Sequence, residues 1–427
     1  MSTSSAQVTP DFPALLELNR ECYCFAVQPG EVAANIVANS DEPDMAALLA
    51  VRPNYFATTG VFIAPDTIDE MLAQVAAIEK VVNSEPYQTE INTRQSAKFS
   101  GPRQATAGVF MGYDFHLTTD GPKLIEINSN AGGAYIVAAL ERALGVESGR
   151  VEDRLAAMFR TEWQLSGRSG LPRTLAIVDS APQQQFHYPD MRLAAQSLRQ
   201  RGLQTYVADP AELSISAGKL YLGEVPIDVV YNRLTDFMLT EPANAIIRQA
   251  LMENAALITP APQHHGYYAD KRNLTLLSDP AVLRAWGFDA DVLEPLARLP
   301  GSVQVKAENS EALWANRRAY FFKPAAGYGS RAAYRGAKLT SRVWQHITSN
   351  DYIAQEFVAP PLRAVTRTQE RITLKYDLRV YTYAGKPLLW AARVYQGQTT
   401  NLRTAGGGLA VVIPMQPSAV NCATADD

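Results

Sequence analysis

The stretch Tyr113–Gly133, YDFHLTTDGPKLIEINSNAGG, constrains this chain more than any other, because it sets three oxygen-bearing side chains around one predicted turn. Phe110–Leu117 and Lys123–Asn128 alternate apolar and polar residues as strands do, and Thr118-Thr119-Asp120-Gly121 has the composition of a hairpin loop. A hairpin centred near Asp120 puts Asp114 opposite Glu126. The two-residue strand period then puts Glu126 and Asn128 on one face and turns Ile125 and Ile127 to the core. Two carboxylates and an amide oxygen on one face repel each other unless a cation neutralises them, and an all-oxygen set suits Mg²⁺ held partly through nucleotide phosphates. A solvated strand face is the plain alternative. His116, even-numbered like Asp114, shares the same face.

With 427 residues the chain has room for two or three domains with sizeable cores. A formal net charge of −4 argues against a nucleic-acid-coating surface or a polybasic membrane anchor. Its three cysteines, Cys22, Cys24 and Cys422, are an odd number without a second pair at zinc spacing, so neither a disulfide framework nor a zinc site is expected, and the expected compartment is a reducing cytoplasm. The first residues, MSTSSAQVTPDF, lack a basic region followed by an apolar core, and no run approaches the roughly 20 apolar residues that span a bilayer.

Along the chain the pattern predicts an α/β (α+β) protein in three parts. Residues 1–166 carry helical patterns at Thr67–Val82, Tyr135–Leu144 and Val151–Leu165 in addition to the hairpin, and the turn-rich SGRSGLP at 166–172 marks a boundary. Residues 172–258 alternate strand and helix: Thr174–Val178, Asp190–Arg201, Leu203–Ala208, a hairpin at Ile215–Leu222, Asp228–Leu234 and Ala243–Ala255. That alternation predicts a small parallel-rich α/β domain. Residues 259–427 hold a helix at Lys271–Leu277, a strand–loop–strand at Tyr320–Leu339, a strand at Tyr352–Val358 and two long strands at Leu374–Tyr383 and Pro387–Tyr395.

In this last part, YFFKPAAGYGSR at Tyr320–Arg331 joins a strand lysine, Lys323, to a loop whose Gly327 and Gly329 let backbone amides turn towards an anion. A plain hairpin turn is the alternative. The spacing Gly327-x-Gly329-x-x-Ala332 formally matches a dinucleotide fingerprint, but that motif must open a sustained helix, and Gly336 follows too soon. No GxxxxGK[ST] loop occurs. YIAQEFV at Tyr352–Val358 stops at Pro360-Pro361, an edge able to present main-chain groups to a purine. KYDLR at Lys375–Arg379, Arg393 and NLRTAGGG at Asn401–Gly408 concentrate cations and flexible glycines near the end of the chain.

Together these residues resemble the ATP-grasp superfamily: a lysine before a glycine loop (Lys323, Gly327, Gly329, Ser330), a hinge strand (Gln355, Glu356, Phe357, Val358), a D-x-R strand (Asp377, Arg379) and N-L-R…G-G at Asn401–Gly408. The D…E-x-N hairpin precedes them here, whereas it ends the domain in ordinary members. The order therefore resembles the circularly permuted eukaryotic-type glutathione synthetases and, more loosely, glutathionylspermidine synthetases. KLIEIN at Lys123–Asn128, DKRNLTLLS at Asp270–Ser278 and LRT at Leu402–Thr404 are further matches, and the likeness touches most of residues 110–412. Two departures point away from glutathione itself as the product. KPAAGYG lacks the family's acidic loop residue, and Met111-Gly112 stand where an arginine precedes the hairpin aspartate.

The resemblance implies a permuted ATP-grasp fold with an inserted substrate domain, and an ATP-dependent carboxylate–amine ligase working through an acyl phosphate. It assigns Mg²⁺ to Asp114, Glu126 and Asn128, and ATP to Lys271, Lys323, Gly327, Gly329, Ser330, Gln355, Glu356 and Val358. Arg393 and Arg403 would steady charge on the acyl phosphate or tetrahedral intermediate. That chemistry needs alignment and charge neutralisation rather than a protein nucleophile, consistent with the absence of G-x-S-x-G and of a Cys/His pair. The expected partners are a small acid and an amine (amino acid, peptide or polyamine), with no nucleic acid and no membrane; the oligomeric state is open, a homodimer included. Arg173–Ala255 would help form the substrate pocket, with Asp179, Tyr231 and Arg233 as candidate contacts. His264-His265 lacks companions at metal spacing and is expected at a loop or helix start. A non-catalytic nucleotide-binding homologue and a phosphotransferase are the alternative readings.

Overall fold

Glu370–Tyr383 and Lys386–Tyr395 are long runs rich in β-branched and aromatic residues, joined through Ala384 and Gly385. Both turn residues have positive φ, 47° and 72°, the two-residue geometry whose twist matches a hairpin. In the computed structural model, which describes residues 12–23, 25–95, 101–146, 150–327, 332–367 and 370–416, these strands are the middle of a six-stranded sheet. Gly408–Ala410 lies beyond Lys386–Tyr395. On the other side Glu370–Tyr383 pairs with Leu362–Arg367 through its first half and with Met111–Thr118 through its second, all antiparallel. Gly121–Ser129 closes the edge, so the predicted hairpin exists and docks on the long strands.

Within the hairpin Asp114 pairs with Glu126, as the turn position requires. The ladder then shifts between Asp114 and Phe115, which pairs with Leu124 and leaves Ile125 over. This bulge corrects one expectation. Ile127 is buried in the core at 3% exposure, but the extra residue Ile125 is turned out of the alternation and lines a cleft.

Both faces of the large sheet are covered. Tyr113, Phe115, Leu378, Val380 and Val394 pack with Met71, Val75 and Ile78 of the helix Pro65–Val82. Phe110, Tyr381, Leu389 and Ala391 pack with Ile136, Leu140, Leu155 and Phe159 of the helices Ala134–Ala143 and Val151–Leu165. The second sheet is wholly parallel, in the order Leu257–Thr259, Val229–Asn232, Thr174–Val178 and Gln204–Ala208. Such a sheet buries both faces: Leu175, Ile177, Val229 and Leu257 join the core of the first helices, while Ala176, Val178, Val230 and Ile258 meet Ile247 and Leu251. One apolar core therefore runs past the turn-rich 166–172 segment.

A third sheet orders Ser302–Gln304, Tyr352–Glu356, Tyr320–Pro324 and Tyr334–Arg335, antiparallel, over its own small core of Val305, Leu313, Phe322, Ile347 and Tyr352. Here the strand–loop–strand forms as expected, with a second strand of only two residues. Cys22, for which no disulfide framework was expected, is disulfide-bonded to a residue outside the described ones. An odd cysteine count precludes complete pairing, not a single bond. No described helix is long and apolar enough to cross a membrane.

Gly336 lies where a Cβ would stand 1.7 Å from the Arg317 carbonyl oxygen and 2.9 Å from that of Tyr320, both backbone atoms that cannot swing aside. Gly336→Ala should therefore cost about 1–3 kcal/mol, the usual range for overpacking. Thermal denaturation checks this, and a midpoint equal to that of the wild type would show that the turn relaxes freely.

Candidate active site

The hairpin and the glycine-loop strand meet although they are far apart in sequence. Lys323 Nζ donates to the carbonyl of Ile125, 198 residues earlier, at 2.6 Å, and to Gln355 Oε1 at 2.7 Å. The bulge that expels Ile125 is what offers this carbonyl to the lysine. Lys271 Nζ lies 3.1 Å from Glu126 Oε1 and donates to the Gly327 carbonyl at 3.0 Å. Two adjoining clefts flank these contacts. The first is an open cleft between Phe321, Lys323, the hinge Gln355–Val358 and His116; the second, wider, is walled by Asn128–Gly132, Asp179, Arg233 and Arg403. Glu126, Lys271, Gly327, Arg393 and Thr400 line both, forming the seam between them. Gly329 and Ser330 lie outside the described residues.

Register accounts for the charge pattern at the seam. Arg379 on the long strand faces Asp114, which in turn faces Glu126, and Asp377 faces Arg393. Arg379 donates to Asp114 through Nε at 2.6 Å and Nη2 at 2.7 Å; Arg393 adds Nη2 at 2.7 Å and Asn128 its amide Nδ2 at 3.1 Å. Burial alone would raise the Asp114 pKa, but the two guanidiniums outweigh it and hold the value at about 2. Glu126 is likewise pulled below its ordinary value, burial being overcome by Lys271 and Lys323. Burial lowers Lys323 to about 8, despite the opposing pull of Glu126.

Of the three side chains assigned to Mg²⁺, Glu126 and Asn128 line the clefts and fit a hard cation; the Glu126 side chain is 28% exposed, and the Asn128 amide, donating to Asp114, keeps its carbonyl oxygen as an acceptor. Asp114 lies behind them, 1% exposed, with both oxygens engaged. Among the described residues no group of three or more His, Cys, Asp and Glu is placed to hold a metal.

In the second cleft Arg233 donates from Nη1 to Asn130 Oδ1 and to the Tyr231 hydroxyl, both at 3.1 Å, so Tyr231 acts on the cleft through Arg233. Asp179 is raised to about 6 by burial, partly offset by Arg233. His187, hydrogen-bonded to the Tyr55 hydroxyl at 2.9 Å, is pushed down to about 3 by burial and by four arginines, Arg233 foremost. His264 accepts from the Ala261 amide and so opens a helical turn, as expected, while His265 stacks on Phe237 at 3.9 Å. His116, placed by strand alternation on the Asp114 face, lines the first cleft with its Nδ1 2.9 Å from the Val358 carbonyl, and sequence reasoning missed Thr400, which donates to Asp377 at 2.5 Å. Alternation gave the face of His116 but not its contact with the hinge, and no sequence signal marks Thr400.

No family model matches the chain, and no curated protein matches it. Among solved structures it is similar to a glutathione synthetase-like effector (GSS30) from Globodera pallida, at 11% identity and a TM-score of 0.55, covering 92% of this chain and 100% of that one. A putative gamma-glutamylcysteine synthetase from Methylobacillus flagellatus KT also matches, at 11% identity over 77% of this chain and 84% of that one, with a TM-score of 0.47. The second score adds nothing to the fold assignment. The first, over nearly the whole of both chains, shows that this chain has a glutathione synthetase-like fold.

Proposed function

We propose that this chain is an ATP-dependent carboxylate–amine ligase of permuted ATP-grasp type, joining a small acid to a small amine. The carrying observation is the seam of Glu126, Lys271 and Arg393, with Lys323 beside it, between a cleft along the hinge Gln355–Val358 and a wider, more polar chamber. The first cleft takes ATP: the base lies against the hinge Gln355–Val358, and Lys271, Lys323 and the loop from Gly327 through Gly329 and Ser330 hold the phosphates. The second cleft takes the acid and the amine. Glu126 and Asn128 would hold Mg²⁺, which when bound supplies neutralising charge to the phosphates.

In this reading a carboxylate oxygen of the acid attacks the γ-phosphorus of ATP, the bond to the β,γ-bridging oxygen breaks, and ADP leaves. The amine nitrogen then attacks the acyl carbon of the resulting acyl phosphate, inorganic phosphate leaves with the carbon–oxygen electron pair, and the nitrogen loses a proton. Both steps develop negative charge at the seam, where Arg393 and, from the wider chamber, Arg403 stabilise it. The partner similar in fold is described as glutathione synthetase-like, which supports ligase chemistry; the loss of the acidic loop residue and of the arginine at Met111-Gly112 argues for a product other than glutathione.

An ADP-release screen over amino acids, peptides and polyamines tests the reading, and release should require an acid and an amine together. Release with the acid alone would make the chain a phosphotransferase, and no release with any pair would favour a nucleotide-binding homologue. With an active pair in hand, Glu126→Gln should lower turnover at least 100-fold while the circular dichroism spectrum stays unchanged. Lys323→Ala should weaken ADP binding by about 1.5–3 kcal/mol, the scale of a hydrogen bond to a charged group. Because Lys323 loses its proton as pH rises through about 8, nucleotide phosphates must bring a proton in above that pH. Calorimetric ADP affinity should therefore fall, by up to about tenfold per pH unit beyond 8. Lys323→Ala should abolish that dependence; an unaltered profile would assign it to another group.

A further inference from the structure

Asp114 lines neither cleft, and its two oxygens accept four N–H groups, from Arg379, Arg393 and Asn128. At 1% exposure and behind the cleft walls, a carboxylate engaged in this way is screened from a metal in the cleft by its own arginine partners. Asp377, 0% exposed, is also absent from both linings, and accepts from Arg393 Nε at 2.6 Å and from the Thr400 hydroxyl. Arg393 is therefore gripped twice, Nε by Asp377 and Nη2 by Asp114, from two different strands. Its remaining nitrogen, Nη1, makes no hydrogen bond among the described residues, and the side chain lines both clefts.

We infer that Asp114 is a positioning residue: with Asp377 it forms a two-carboxylate clamp that fixes the Arg393 guanidinium at the seam, leaving Nη1 to bind an anionic oxygen of the carboxylate or phosphoryl class. The clamp sets the planar fork before any ligand arrives, so the ordering of a long side chain is not charged to binding or to the reaction. Two carboxylates against two guanidiniums, Arg379 being the second, also leave the buried cluster close to neutral. The assignment deepens the ligase reading by moving Asp114 out of the metal set and behind the arginine.

The test separates metal binding from arginine positioning, using Mn²⁺ with ADP as the probe and paramagnetic resonance as the readout. Glu126→Gln should weaken Mn²⁺–ADP binding at least tenfold, whereas Asp114→Asn and Asp377→Asn should stay within about twofold of wild type. In ¹⁵N-arginine spectra the protected Nε–H signal of Arg379 should disappear in Asp114→Asn, and that of Arg393 in Asp377→Asn. Both variants, and Arg393→Lys, which retains the charge but not the fork, should lower turnover at least tenfold with ADP affinity kept. If Asp114→Asn loses Mn²⁺–ADP binding as Glu126→Gln does, Asp114 is a metal ligand and the inference is overturned. Retained Nε–H protection in Asp114→Asn overturns it as well. Should that variant not fold, Asp377→Asn and Arg393→Lys decide by the same readouts. If the wild type binds no Mn²⁺–ADP, the ligase reading fails, while the arginine signals still decide whether the clamp exists.

Discussion

The buried charge row Arg379–Asp114–Arg393–Asp377 is the interaction on which the rest of the site depends. It spans the three strands that form the middle of the large sheet, so sheet register and charge pairing enforce one another. A shift of one residue would turn these side chains to the opposite face and leave guanidiniums and carboxylates without partners in the interior. Removing one member of such a cluster costs more than the pair contributes in place, because the charge left behind is desolvated. The row thus specifies how the hairpin docks on the long strands.

The adjacent bulge links that row to the first cleft. Just past the Asp114–Glu126 pair the ladder gains Ile125, and the carbonyl of this extra residue is an acceptor for Lys323. Glu126, on the other side of Ile125, lies within ion-pair distance of Lys271. A local irregularity of one residue therefore brings two lysines from the last part of the chain against the hairpin. Here the lysines neutralise Glu126, and the carbonyls of Ile125 and Gly327 satisfy the lysines.

The wider chamber is built differently. Arg233 reaches it from the carboxyl end of a parallel strand, where ligand sites of open α/β sheets lie, and Gly132 has no side chain to obstruct it: a Cβ there would meet Arg233 Nη2 at 2.3 Å. Asp179 sits at the end of the neighbouring strand, Thr174–Val178. The parallel sheet supplies the chamber with one cation and one carboxylate, and the large sheet supplies the seam. The continuous apolar core beneath holds the two sources in a fixed relation.

Much of this was legible from sequence because it depends on local periodicity. The hairpin, the Asp114–Glu126 pairing, the strand–helix alternation of Thr174–Ala208 and the strand bearing Lys323 all follow from two- and 3.6-residue patterns and from turn residues whose preferences act over a few positions. What periodicity could not supply is the partner of each charge. Asp114 has the spacing of a metal ligand, yet its register neighbour is Arg379, 265 residues away, and a diagonal neighbour is Arg393. Ile125 has the phase of a core residue, yet a bulge expels it. The sequence by itself determined which elements form and which side chains share a strand face, because these are short-range properties of the backbone. Only the tertiary structure decided which oxygens remain open to a cation and which are already spent on arginines, because that depends on the register of strands far apart in the chain.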